Sequence, residues 1–134
     1  MNFRLLGWFS LSLAVIAILP YLVRVINQKT FKLRSKGYFK VHKVLREAHR
    51  VAGILLALIG LWHGYLALSG NIRLHTGVLA YLSFFVTAAL GITLYRKRGK
   101  TLQKVHRSFA ALSYLLLALH LLKPWALGQW FGLW

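Results

Sequence analysis

Four histidines fall into two pairs of identical spacing: His49 with His63 and His106 with His120, each 14 residues apart. At about 3.6 residues per turn, 14 positions bring both members of a pair onto one helix face to within roughly 40°. The same interval is two heptads, so in a left-handed bundle a pair keeps facing one neighbour. Two imidazoles from facing helices are what the iron of a haem takes as trans axial ligands. With a rise of about 1.5 Å per residue, the two levels stand roughly 21 Å apart.

Composition removes most other chemistry. The 134 residues hold no cysteine and a single acid, Glu47, against 18 Lys plus Arg. Disulfides, thiolate metal sites, iron–sulfur clusters and thiol nucleophiles are excluded together. One carboxylate cannot supply paired-acid hydrolysis or a carboxylate-caged cation. Zinc fits poorly, because no histidine lies three or four residues from another and there is no HExxH.

The elements that must position the histidines are membrane spans. The chain is 58% hydrophobic and 14% charged, outside the balance of a soluble domain. Leu5–Val23, Val51–Ile72 and Leu74–Tyr95 carry no charge, and each approximates the ~20 residues that cross a bilayer. A shorter run between Arg107 and Lys123 completes the set, its flanking side chains long enough to snorkel. The expected fold is an all-α transmembrane four-helix bundle, a single domain with helices over about 5–26, 47–69, 74–96 and 104–123. The first span reads as a retained anchor, since its apolar run is long and no small-residue cleavage pattern follows. The tail 124–134, with Trp125, Trp130 and Trp134, reads as an interfacial aromatic belt.

Basic residues set the orientation. Nine lie between Arg24 and Arg50, six between Arg96 and Arg107, and only Arg4, Arg73 and Lys123 on the other side. Fifteen against three predicts both termini outside and both basic loops cytoplasmic. That asymmetry accounts for most of the +17 charge as topology and lipid-headgroup contact. Nucleic-acid binding is not expected, since no fold motif accompanies the charge.

Spans two and four then run in the same direction. His49 is level with His106 at the cytoplasmic boundary, and His63 with His120 nearer the outside. The expected cofactors are two haem b groups, with propionate partners Arg46, Arg50, Lys104 and Arg107 inside and Arg73 and Lys123 outside. Gly53, Gly60 and Gly64 on the second helix, with Ala110, Ala111 and Ser113 on the fourth, would admit a macrocycle or a neighbouring backbone. His42 reads as an interfacial residue. His75, opening the third helix, reads as a boundary residue able to hydrogen-bond a propionate or a quinone.

The segment LREAHRVAGILLALIGLWHGYLALSG, followed by LHTGVLAYLSFFVTAALGITLYRKRGKTLQKVHRSFAALSYLLLALHLL, resembles the ferric-reductase-like transmembrane domain. The likeness covers about residues 40–123. It rests on the two histidine pairs, the basic loop before the fourth helix and V-H-R-x-x-A at that helix's start. The resemblance implies His49 with His106 and His63 with His120 as axial ligands of two b-type haems. The sequence departs from that family in having four spans instead of six, and it carries no dinucleotide motif. It is also similar to the haem-bearing half of cytochrome b from quinol-oxidising complexes.

The expected function is electron transfer across a membrane between a cytoplasmic donor and an outer acceptor, the chain holding and tuning the haems. The basic loops would favour an acidic donor protein. A quinol-linked cytochrome b subunit, with the quinol near His75 and Arg73, is the alternative. A haem-free assembly subunit of a larger membrane complex, which would purify colourless, is a third.

Overall fold

The computed structural model describes residues 2–69 and 74–131. It is all-α among these residues: α1 (Phe3–Ile26) runs into a π-helical turn (Asn27–Phe31), followed by α2 (Lys36–Ala67), α3 (Thr76–Arg96), α4 (Lys100–Leu122) and the short α5 (Ala126–Phe131). The first four are long and apolar enough to cross a membrane.

Local chemistry sets the helix ends. The Asn2 side chain accepts from the Arg4 N–H at the start of α1, and the Ser35 hydroxyl accepts from the Tyr38 N–H at the start of α2. Each satisfies a donor that the first helical turn leaves free. Between them Asn27 clips the turn: its Nδ2 donates to the Leu33 carbonyl and its Oδ1 accepts from the Leu33 N–H. Lys32 adopts the left-handed conformation there, with φ 49°.

Two boundaries differ from expectation. The second helix starts at Lys36 and not near residue 47, because the capped, Pro-free segment Lys36–Arg50 stays helical although its charge bars it from the hydrocarbon layer. The tail is not simply interfacial, since α5 buries Ala126 and Gly128 against the bundle. Trp125 and Trp130 remain largely exposed, as an aromatic belt requires. Trp134 and Arg73 lie outside the described residues.

Packing follows membrane logic. The buried set consists chiefly of small residues, namely Ala14, Ala52, Ala80, Ala126, Thr76, Ser83 and Ser113, whereas large apolar side chains face outward. In lipid, helices gain by close backbone approach and interhelical hydrogen bonds instead of by hiding apolar surface. α1 packs along α2 and α3 along α4, giving two hairpins that meet more sparsely through α2 and α3. Between the histidine levels the Tyr114 hydroxyl donates to the Ala14 carbonyl at 2.6 Å, tying α4 to α1. On the α3–α4 seam the Ser113 hydroxyl lies 2.9 Å from that of Ser83 and 3.1 Å from that of Thr87.

Candidate haem-binding site

Each of the four paired histidines is anchored through Nδ1 to the other helix of its own hairpin. His49 Nδ1 lies 2.6 Å from the Ala17 carbonyl and His63 Nδ1 2.9 Å from the Phe3 carbonyl. His106 Nδ1 lies 3.0 Å from the Thr87 carbonyl. A carbonyl only accepts, so these three rings carry their proton on Nδ1 and leave the Nε2 lone pair free. His120 Nδ1 lies 3.3 Å from the Thr76 hydroxyl, and that hydroxyl donates its one proton to the Pro124 carbonyl at 2.7 Å. The hydroxyl therefore accepts from His120, and the fourth ring has the same tautomer. An imidazole held by an Nδ1 hydrogen bond, with Nε2 free, is oriented and made more basic for metal ligation.

The anchoring carbonyls explain glycines that had no assigned role. Helical carbonyls are normally screened by the side chain one turn later. Gly7 follows Phe3 by four residues, and Gly91 follows Thr87 by four. A Cβ on Gly7 would stand 3.0 Å from His63 Cε1, and one on Gly91 would stand 3.2 Å from His106 Cε1. Gly77, beside Thr76, is tighter still: a Cβ there would meet His75 Cε1 at 2.6 Å and His120 Cε1 at 2.8 Å. Gly77 and Gly91 are themselves 14 residues apart, so α3 repeats the interval of the rings it cradles.

The inner pair comes together as expected. The His49 and His106 ring centroids are 6.2 Å apart, with the planes at 86°. Metal–imidazole bonds of about 2.0 Å, and about 1.2 Å more to each ring centre, put trans imidazole centroids about 6.4 Å apart at any interplanar angle. Two imidazoles at this separation could hold one iron between them.

The outer level holds three imidazoles where two were expected. His120 stacks on His75, with centroids 5.9 Å apart and planes at 19°. His75 is buried, N-caps α3 and accepts the Gly77 N–H on its Nδ1 at 2.9 Å. Its proton is thus on Nε2, the opposite tautomer to the other four, which makes it a hydrogen-bond donor instead of a ligand. The Trp125 ring lies edge-on to it at 5.3 Å.

The other expected residues separate. Gly53 and Gly64 are half-buried, yet a Cβ at either would meet nothing described within 4 Å. They leave open space on the helix that carries His49 and His63, as a flat ligand needs. Gly60 instead meets the Tyr81 ring of α3 at 3.4 Å and serves helix packing. Ser113 is buried against α3, Ala110 is half-buried, and Ala111 is exposed. Arg46 within α2, Lys104 and Arg107 in the first turns of α4, and Lys123 after its last are all exposed. Arg50 pairs with Glu47 at 2.8 Å and lies over the Tyr95 ring at 4.3 Å. His42 rests on the Tyr38 ring, and its Nε2 is buried without a hydrogen-bond partner.

No family model matches the chain, and neither curated proteins nor solved structures provide a match.

Proposed function

We propose that the chain is a di-haem b-type cytochrome that moves electrons across a membrane, from a donor on the side of the basic loops to an acceptor on the other. The observation that carries this is the common tautomer of His49, His63, His106 and His120, each ring pinned through Nδ1 with Nε2 left to ligate. Haem iron, when bound, supplies the one-electron chemistry. The protein's part is to hold and orient two such groups: His49 with His106 at the inner level, His63 with His120 at the outer. Gly53 and Gly64 give room, and Arg46, Lys104, Arg107 and Lys123 offer charge-assisted hydrogen bonds to propionates. The excess of Lys and Arg in the two loops supports a cytoplasmic side for them.

The test is the haem content of single variants. His63→Ala or His120→Ala should remove the outer haem and leave the inner one. Equal loss of both haems in each variant, with normal membrane insertion, would contradict separate sites.

The donor tautomer of His75 favours a second reading, in which the outer partner is a quinol or quinone whose oxygen accepts from His75 Nε2. Quinone-site inhibitors should then block haem reduction, whereas in the first reading they leave it unchanged.

A further inference from the structure

The anchoring bonds fix the register of the bundle, and with it how far each hairpin extends past the inner histidines. At about 1.5 Å per residue, α2 continues roughly 20 Å beyond His49 to Lys36, whereas α4 continues only about 9 Å beyond His106 to Lys100. α1 agrees: Arg24, where its uncharged run ends, lies about 10 Å past the Ala17 carbonyl that anchors His49. The α1–α2 hairpin therefore overhangs the α3–α4 turn and stands roughly 10 Å past the charged boundary of α1, clear of a headgroup layer about 5–8 Å thick.

This projecting end is basic, apolar and preformed at once. Lys29, Lys32, Arg34, Lys36 and Lys40 are exposed on it. So are Phe31 at 64%, Leu33 at 51% and Phe39 at 59%, all beyond the charged boundary at Arg24. A cavity of about 220 Å³ opens between Val23, Ile26, Asn27, Phe31, Leu33 and Tyr38, with an almost wholly apolar lining. The two Asn27–Leu33 hydrogen bonds hold its rim. An apolar pocket ringed by lysines suits an apolar anchor side chain on an acidic surface, the arrangement that concentrates binding energy at an interface centre. Lipid headgroups could neutralise the lysines but would leave the apolar groups uncovered. A second copy of a chain with net charge +17 is repelled.

We infer that the end of the α1–α2 hairpin, residues 23–40, is a docking surface for a soluble acidic protein that inserts an apolar side chain into the Asn27-clipped cavity. This deepens the proposed function, on which it rests for the identity of that protein as the electron donor.

The test uses the full haem-loaded chain in neutral phosphatidylcholine nanodiscs, with an acidic flavodoxin as probe. Reversing Lys29, Lys32 and Lys36 to Glu should weaken binding at least about ten-fold and flatten its salt dependence. Val23→Trp, which fills the cavity, should weaken it several-fold and keep the salt dependence. Wild-type affinity in both variants would overturn the proposal. So would quenching, by brominated phosphatidylglycerol, of a fluorophore on Phe39→Cys, the single thiol of that variant, since the membrane would then be the occupant. A Soret band measured on each sample keeps the two readings apart: docking without haem would overturn the redox function and leave the surface standing.

Discussion

A ligand-competent histidine differs from a packed one in which nitrogen carries the proton, and that is decided by a single neighbour. Carbonyls or an already donating hydroxyl fix it for His49, His63, His106 and His120. A backbone N–H fixes the opposite state for His75. The glycines that allow these contacts should therefore act site by site. Gly91→Ala places a methyl 3.2 Å from His106 Cε1, a distance a small ring shift relieves, so inner-haem content should fall modestly. Gly77→Ala places one under 3.0 Å from both His75 and His120, so the outer haem should be largely lost with the inner one retained. Difference spectra of the two variants, resolved by potential, check this. The histidine pairs were legible in the sequence because equal spacing on parallel spans is itself geometric information. The matching interval from Gly77 to Gly91 was just as plain, but glycine carries no chemistry and gives no reason to look until the rings are placed against it. The tautomer of His75 was not legible, because the N–H that sets it becomes available only once α3 starts at Thr76.

Among the elements, four membrane-length helices followed directly from uncharged runs. The α2 extension is not legible in the uncharged runs, because charge limits only how much of a helix enters lipid and not where the helix ends. The Ser35 cap and the absence of proline let the same helix continue into water. α5 was missed because a Trp-rich tail reads as interfacial whether or not it turns once and buries Ala126. The two hairpins meet through few side chains, so the polar contacts between helices carry weight. Tyr114→Phe removes the 2.6 Å hydrogen bond to the Ala14 carbonyl, and Ser113→Ala removes the partner of the Ser83 hydroxyl. Interhelical hydrogen bonds in membranes average about 0.6 kcal/mol and reach about 1.7. Each variant should lower unfolding stability in mixed micelles by about that much. A loss within error for Tyr114→Phe would mean that the hairpins are held chiefly by what lies between them.

For the whole molecule, the charge distribution and the proposed haem sites make separate claims. The absence of cysteine gives a direct test of orientation, since any introduced thiol is unique. In right-side-out vesicles, Ser35→Cys and Gly99→Cys should be protected from an impermeant maleimide, and Gln129→Cys should react. Reaction at Ser35 and Gly99 with protection at Gln129 would invert the topology. The inner imidazole pair, with ring centres 6.2 Å apart, and the outer cluster of three give the proposed two-haem reading a definite stoichiometry whichever way electrons run. The most direct measurement is a reduced-minus-oxidised absorption spectrum of the purified chain with pyridine haemochrome quantification. The account predicts low-spin b-type bands and two haems per polypeptide; a colourless protein, folded and inserted, would contradict it.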